Sequence, residues 1–314
     1  MLSNEFLLKG VATPALAGFA ATLIFFRLTP GRRWVATIAF AVAQMLGTAL
    51  AVWGNADWFP SRNLHWVPWV AVASAAIGPI AVASGLASIE RWVLVGFASL
   101  AAAAVMVPDW PELWPARPVS IISVVAAMTC IARGTDAVTR RQPPRLVVLT
   151  MVGAALTAVA LIAASLSLKL GESSLITAAA LSGVGAALMI RPDESAIRGL
   201  TLSYALGVGG WCYVTAIEPT PPEQPLWALL FIPAAPLVLW LTAFGPLVTR
   251  SNRIRWMAST LLVAAYLAGV GAWTWFSTEL ETEDYTQASQ RPWSAPSTPY
   301  HSFRRYRTST ETAP

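Results

Sequence analysis

Residues 146–168 read LVVLTMVGAALTAVALIAASLSL, twenty-three positions without a charged side chain, directly after the basic stretch ARGTDAVTRRQPPR at 132–145. At a rise of about 1.5 Å per residue an α-helix of this length reaches about 34 Å, and the hydrocarbon core of a bilayer is about 30 Å thick. The stretch reads as a transmembrane helix whose start is marked by arginines held in water.

Nine further apolar runs lie around it, at 6–26, 34–54, 64–86, 92–107, 118–132, 173–190, 200–217, 226–248 and 256–277. The fifth, 118–132, is the shortest. As a helix it reaches about 22 Å, so it needs a thinned bilayer, a few flanking residues or a re-entrant path. Across the 314 residues 56% are apolar and only 12% charged, with a mean hydropathy of +0.57. Soluble domains carry about 25% charge, and a water-soluble core has no room for this much apolar surface. The expected fold is an all-α, polytopic transmembrane helix bundle of about ten spans with short loops.

Two domains follow from composition: a transmembrane helical domain at 1–277 and a polar tail at 278–314. The tail opens with Glu279, Glu281, Glu283 and Asp284 and continues rich in Pro, Ser and Thr around Arg304, Arg305 and Arg307. Too little apolar surface is available there to offset the entropy of ordering, so disorder is expected. At the other end, Glu5 and Lys9 precede the first run without a small-residue cleavage site, which reads as a retained span and not a removable signal peptide.

Charge gives the orientation. With ten spans, the odd-numbered loops hold Arg27, Arg32, Arg33, Arg91, Arg133, Arg140, Arg141, Arg145, Arg191, Arg198, Arg250, Arg253 and Arg255. The N-terminus and even-numbered loops hold Lys9, Arg62, Arg117 and Lys169. Thirteen against four predicts that the arginine loops are cytoplasmic and both termini outside, in a bacterial-type inner membrane. Dropping the fifth run would put the later arginine clusters on the wrong side. The net charge of +5 is thus topological, and no nucleic-acid partner is implied.

The opposite loops carry Asp57, Asp109, Glu112, Glu172, Glu218 and Glu223 beside Trp53, Trp58, Trp66, Trp69, Trp110, Trp114 and Trp227. Indole rings favour the headgroup layer, so these form an aromatic belt; the sharper alternative is a patch that holds a lipid, a sugar or a partner subunit.

Catalytic chemistry finds little support. All 16 acids, both histidines and both lysines fall in loops, in the tail or at helix ends. An ionisable group at the bilayer centre costs about 2.5–3.5 kcal/mol and is kept mainly for ion and proton pathways, so no carboxylate relay is expected. No cofactor or metal is implied either, since His65 and His301 lie outside the runs and Cys130 and Cys212 read as small apolar core residues. An enzyme acting on a lipid-linked substrate would need Asp57, His65, Asp109 and Glu112 to converge.

Inside the runs the polar residues are neutral. A neutral cavity around Gln44, Tyr204 and Tyr266 is the candidate site, against the plainer reading that such groups hydrogen-bond neighbouring helices. Pro233, Pro236 and Pro246 in the ninth run each remove a backbone hydrogen bond and mark it as the candidate hinge. Gly183-Val184-Gly185, Gly207-Val208-Gly209 and Gly269-Val270-Gly271 predict close helix contacts. The short fourth and fifth runs correspond to long ninth and tenth ones, which speaks against two inverted halves of five. Two functions remain in view: a permease- or flippase-like carrier of a neutral or amphiphilic solute, and a non-catalytic subunit that binds a partner membrane protein.

Overall fold

A computed structural model describes residues 3–29, 31–51, 60, 62–83, 85–111, 113, 115–165, 168–217, 227–243 and 252–290, with the backbone alone at 165, 168, 169, 252 and 278–290. All regular structure among these residues is helical. Eight helices are long and apolar enough to cross a membrane. They are α1 (Asn4–Leu28), α3 (Trp66–Ala81, entered through a short turn at Asn63–His65), α4 (Ser88–Met106), α5 (Arg117–Thr139), α6 (Pro144–Ser165), α7 (Leu168–Ile190), α8 (Glu194–Ile217) and α10 (Asn252–Gln290). Two shorter apolar segments complete the set, α2 (Val35–Ala51) and a broken α9 over Trp227–Ala243. Their outer surfaces are apolar, with Leu16, Phe97, Ile122 and Leu261 each about two-thirds exposed. Monomeric soluble proteins rarely present such surface, so the fold is compatible with a multi-pass membrane protein.

The doubtful fifth run is a full-length helix. Its apolar stretch ends at Ala132, but α5 continues for two turns through Arg133, Asp136 and Thr139 and stops before Pro143 and Pro144. Proline disfavours the α region for the residue before it and cannot donate to the preceding turn, so the helix ends ahead of this pair and not at the first charge. With α4 and α5 at 19 and 23 residues and α9 the shorter segment, the length argument against two inverted halves no longer holds. The α10 backbone continues to Gln290, past the boundary drawn at 277, and 291–314 of the polar tail lie outside the described residues.

α8 is the axis of the bundle, with 94% of its apolar window buried. It packs against α2, α3, α4, α5, α6, α7 and α9, while α1 lies on α7 and α2, and α10 on α6 and α9. Glycines let this happen. A Cβ on Gly210 would stand 3.0 Å from Met106 and 3.1 Å from Val67, and one on Gly209 2.5 Å from Met128 Sδ. Three different helices thus press on one short stretch of α8, and van der Waals contact of this kind is what holds helices together where water is absent. Ser74 of α3 and Ser203 of α8 add a buried hydrogen bond of 2.9 Å at their crossing.

Cys212 is buried in this axis, but Cys130 is exposed on α5, in line with Ile122 and Ala126, so only one of the two is a core residue.

Candidate functional site

The ninth segment shows how prolines shape a site. From Trp227 to Ala234 it winds as a 3₁₀ helix and then breaks into two short turns, Ala235–Val238 and Trp240–Ala243. In a 3₁₀ register the carbonyl of Pro233 would accept from the N–H of residue 236, which is proline and has none. The Tyr204 hydroxyl of α8 takes that place and donates to Pro233 O at 3.0 Å. From the other side the Tyr266 hydroxyl of α10 donates to Phe231 O at 2.7 Å. Lower down, Gln142 Nε2 donates to Leu239 O at 2.9 Å and to Thr242 Oγ1 at 3.2 Å, and Thr242 also bonds Ser259. α9 is therefore held by side chains of its neighbours as well as by its own ladder.

The structure brings Tyr204 and Tyr266 of the candidate set to this one segment, together with Pro233 and Pro236. Gln44 sits in α2, fully buried, with its Nε2 donating to Thr48 Oγ1 at 3.3 Å and its Oε1 unpaired. Pro246 lies outside the described residues. Removing the Tyr204 hydroxyl would leave a buried carbonyl unpaired. Tyr204→Phe is accordingly expected to cost about 1–2 kcal/mol, read as a lower unfolding temperature in detergent, with unchanged expression.

A cleft of about 210 Å³ opens between α5, α8 and this broken segment. Ser120, Ser123 and Tyr213 line it toward the tryptophan-rich end, and Met128, Ile131 and Pro233 line it further in. The Tyr213 hydroxyl is buried beside Ser120 and makes no hydrogen bond, while Ser120 Oγ donates to Pro115 O at 2.7 Å. Ser123 and Ala127 are exposed on the α5 side, so the cleft is open along one flank.

At the arginine end the same two helices are tied together. Asp136, buried in the last turns of α5 with its side chain 2% exposed, accepts from three guanidiniums. Arg198 Nε of α8 lies 2.6 Å from Oδ1, and Arg140 Nη2 and Arg133 Nη1 lie 2.8 and 3.2 Å from Oδ2. Arg198 is also 3.9 Å from Glu194, and Arg133 stacks over Trp92 of α4 at 5.4 Å. Asp136 does stand at a helix end, as expected of the acids, but it is buried and pairs across two helices. The signal was present: Arg133, Asp136 and Arg140 stand at i−3 and i+4, the spacing of one helical face.

The hydrolytic set gains nothing. Asp109 is exposed and pairs with Arg117 at 3.4 Å, Asp57 and Glu112 lie outside the described residues, and no group of three metal-ligating side chains occurs among the described residues. Compared with known proteins, the chain matches no family model and no curated sequence.

Proposed function

We propose that this chain is a ten-span membrane carrier of a neutral or amphiphilic solute, with its arginine end in the cytoplasm, both termini outside, and α9 as the moving element. The reading rests on one observation: α5 and α8 are locked together at the arginine end by Asp136 and Arg198, and toward the other end a cleft opens beside them, walled by a broken segment. A path that is open on one side and closed by an ion pair on the other is what alternating access requires of each of its two states. Side-chain hydrogen bonds to α9 suit the role, since they exchange partners without unwinding a helix. The thirteen-to-four split of Lys and Arg supports the orientation.

Thiol accessibility tests the reading. With Cys130 replaced by alanine, Ser123→Cys is expected to react with a membrane-impermeant maleimide added outside right-side-out vesicles and not with reagent confined inside. Weakening the lock with Arg198→Gln is expected to slow the outside reaction and to permit the inside one. A thiol whose reactivity is indifferent to the lock would remove the carrier reading.

A further inference from the structure

We infer that the cleft between α5, α8 and α9 takes a single-chain amphiphile, an acyl or prenyl chain whose polar linkage accepts a hydrogen bond from Tyr213. The inference deepens the carrier reading and rests on the same cleft, but it concerns what binds and not whether anything moves.

Four observations carry it. First, Tyr213 is 4% exposed, lines the cleft, and its hydroxyl has no partner. A buried unpaired hydroxyl costs about 1–3 kcal/mol, which a ligand oxygen placed there would recover. Second, polarity is graded along the cleft. Ser120 and Ser123 sit in the first two turns of α5 and Tyr213 in the last two of α8, all toward the tryptophan-rich end. Met128 and Ile131, eight and eleven residues beyond Ser120, place the apolar part about 12–16 Å deeper, near the middle of a core about 30 Å thick. A head held at one end with a chain running inward matches this gradient. Third, the flank at Ser123 and Ala127 is exposed, so a chain enters sideways from the lipid without crossing water. Fourth, about 210 Å³ is below the roughly 300 Å³ at which pockets begin to hold drug-sized ligands, which fits one chain and not two. No charged side chain lines the cleft, so the group at Tyr213 is a neutral ester, ether or hydroxyl oxygen, with any charged head left in the interface.

The test uses the full chain in lipid nanodiscs and a lysophospholipid bearing a diazirine near its chain end. Cross-links are expected at α5 and α9 residues around Met128, Ile131 and Pro233, and excess unlabelled lysophospholipid is expected to suppress them while a two-chain phospholipid is not. Ala127→Trp, at an exposed position that tolerates bulk, is expected to abolish them by closing the flank. Tyr213→Phe is expected to weaken retention about three- to tenfold, the equivalent of one hydrogen bond. Cross-links scattered over all lipid-facing helices, or equal competition by the two-chain lipid on the unaltered protein, would overturn the inference. Specific cross-links without alternating thiol access would keep the ligand and remove the carrier, and alternating access without them would do the reverse.

Discussion

Asp136→Asn is expected to be the most damaging change to a single side-chain contact in this protein, lowering stability by about 3–5 kcal/mol, the cost of removing one member of a buried ion pair. At about 2–4 °C per kcal/mol this is a fall in unfolding midpoint of roughly 6–20 °C. The asparagine fits the same space, so packing is unchanged and the loss is electrostatic. Two carboxylate oxygens now accept from three guanidiniums, and Arg133 already feels the repulsion of Arg140, Arg91 and Arg198. Without the carboxylate charge those cations repel one another at the junction of α5 and α8, where Arg133 and Arg198 are only 10% and 19% exposed.

The partners are not equal. Arg140 is 41% exposed, so water takes over its hydrogen bonds when Asp136 is gone, and Arg140→Gln is expected to cost under about 1 kcal/mol. Arg198 is the one partner on α8, and it makes the shortest contact. In a double-mutant cycle the Asp136–Arg198 coupling is therefore expected to exceed the Asp136–Arg140 coupling clearly, by thermal unfolding in detergent. Equal couplings would mean that the cluster is a solvated surface network and not a clamp between helices.

How much of this was legible in the sequence depends on which physical signal each feature leaves. Helix positions leave a strong one, and among the described residues each of the ten apolar runs contains a helical segment. Boundaries leave a weak one: Arg133 ended the apolar stretch, but a helix end is set by backbone chemistry, here Pro143 and Pro144, so two turns of α5 and its buried aspartate were assigned to a loop. The pairing of Asp136 with Arg198 spans 62 residues and has no local trace. Tyr204 and Tyr266 were recognisable as polar groups in apolar surroundings, but the carbonyls that they bond were not, because these lie on a third element and one of them, Pro233 O, is freed by the missing N–H of Pro236. Tyr213 was one of many neutral polar residues in the apolar runs, and only the cleft beside it sets it apart.

The glycine pairs show the same limit and yield the second large effect. In sequence the three Gly-Val-Gly motifs are equivalent, yet a Cβ on Gly183 would fall far inside contact distance of the Ala15 carbonyl, whereas one on Gly269 would meet nothing within 4 Å. Across the same crossing a Cβ on Gly18 would stand 2.9 Å from Ala180 O, so α1 and α7 approach backbone to backbone. A carbonyl fixed in a helix cannot swing aside as a flexible side chain does, and relief requires the two helices to separate. Gly183→Val is therefore expected to cost about 3 kcal/mol or more, at the upper end for overpacked sites, and to appear as loss of monodisperse protein or a sharply lower unfolding midpoint. Gly269→Ala, on the open face of α10, is expected to be neutral or to stabilise by up to about 1 kcal/mol through helix propensity alone. If both substitutions were equally harmless, α1 and α7 would not be in backbone contact and the packing described around α7 would be wrong; if both were equally harmful, the motif itself would matter and not the neighbour that each glycine faces.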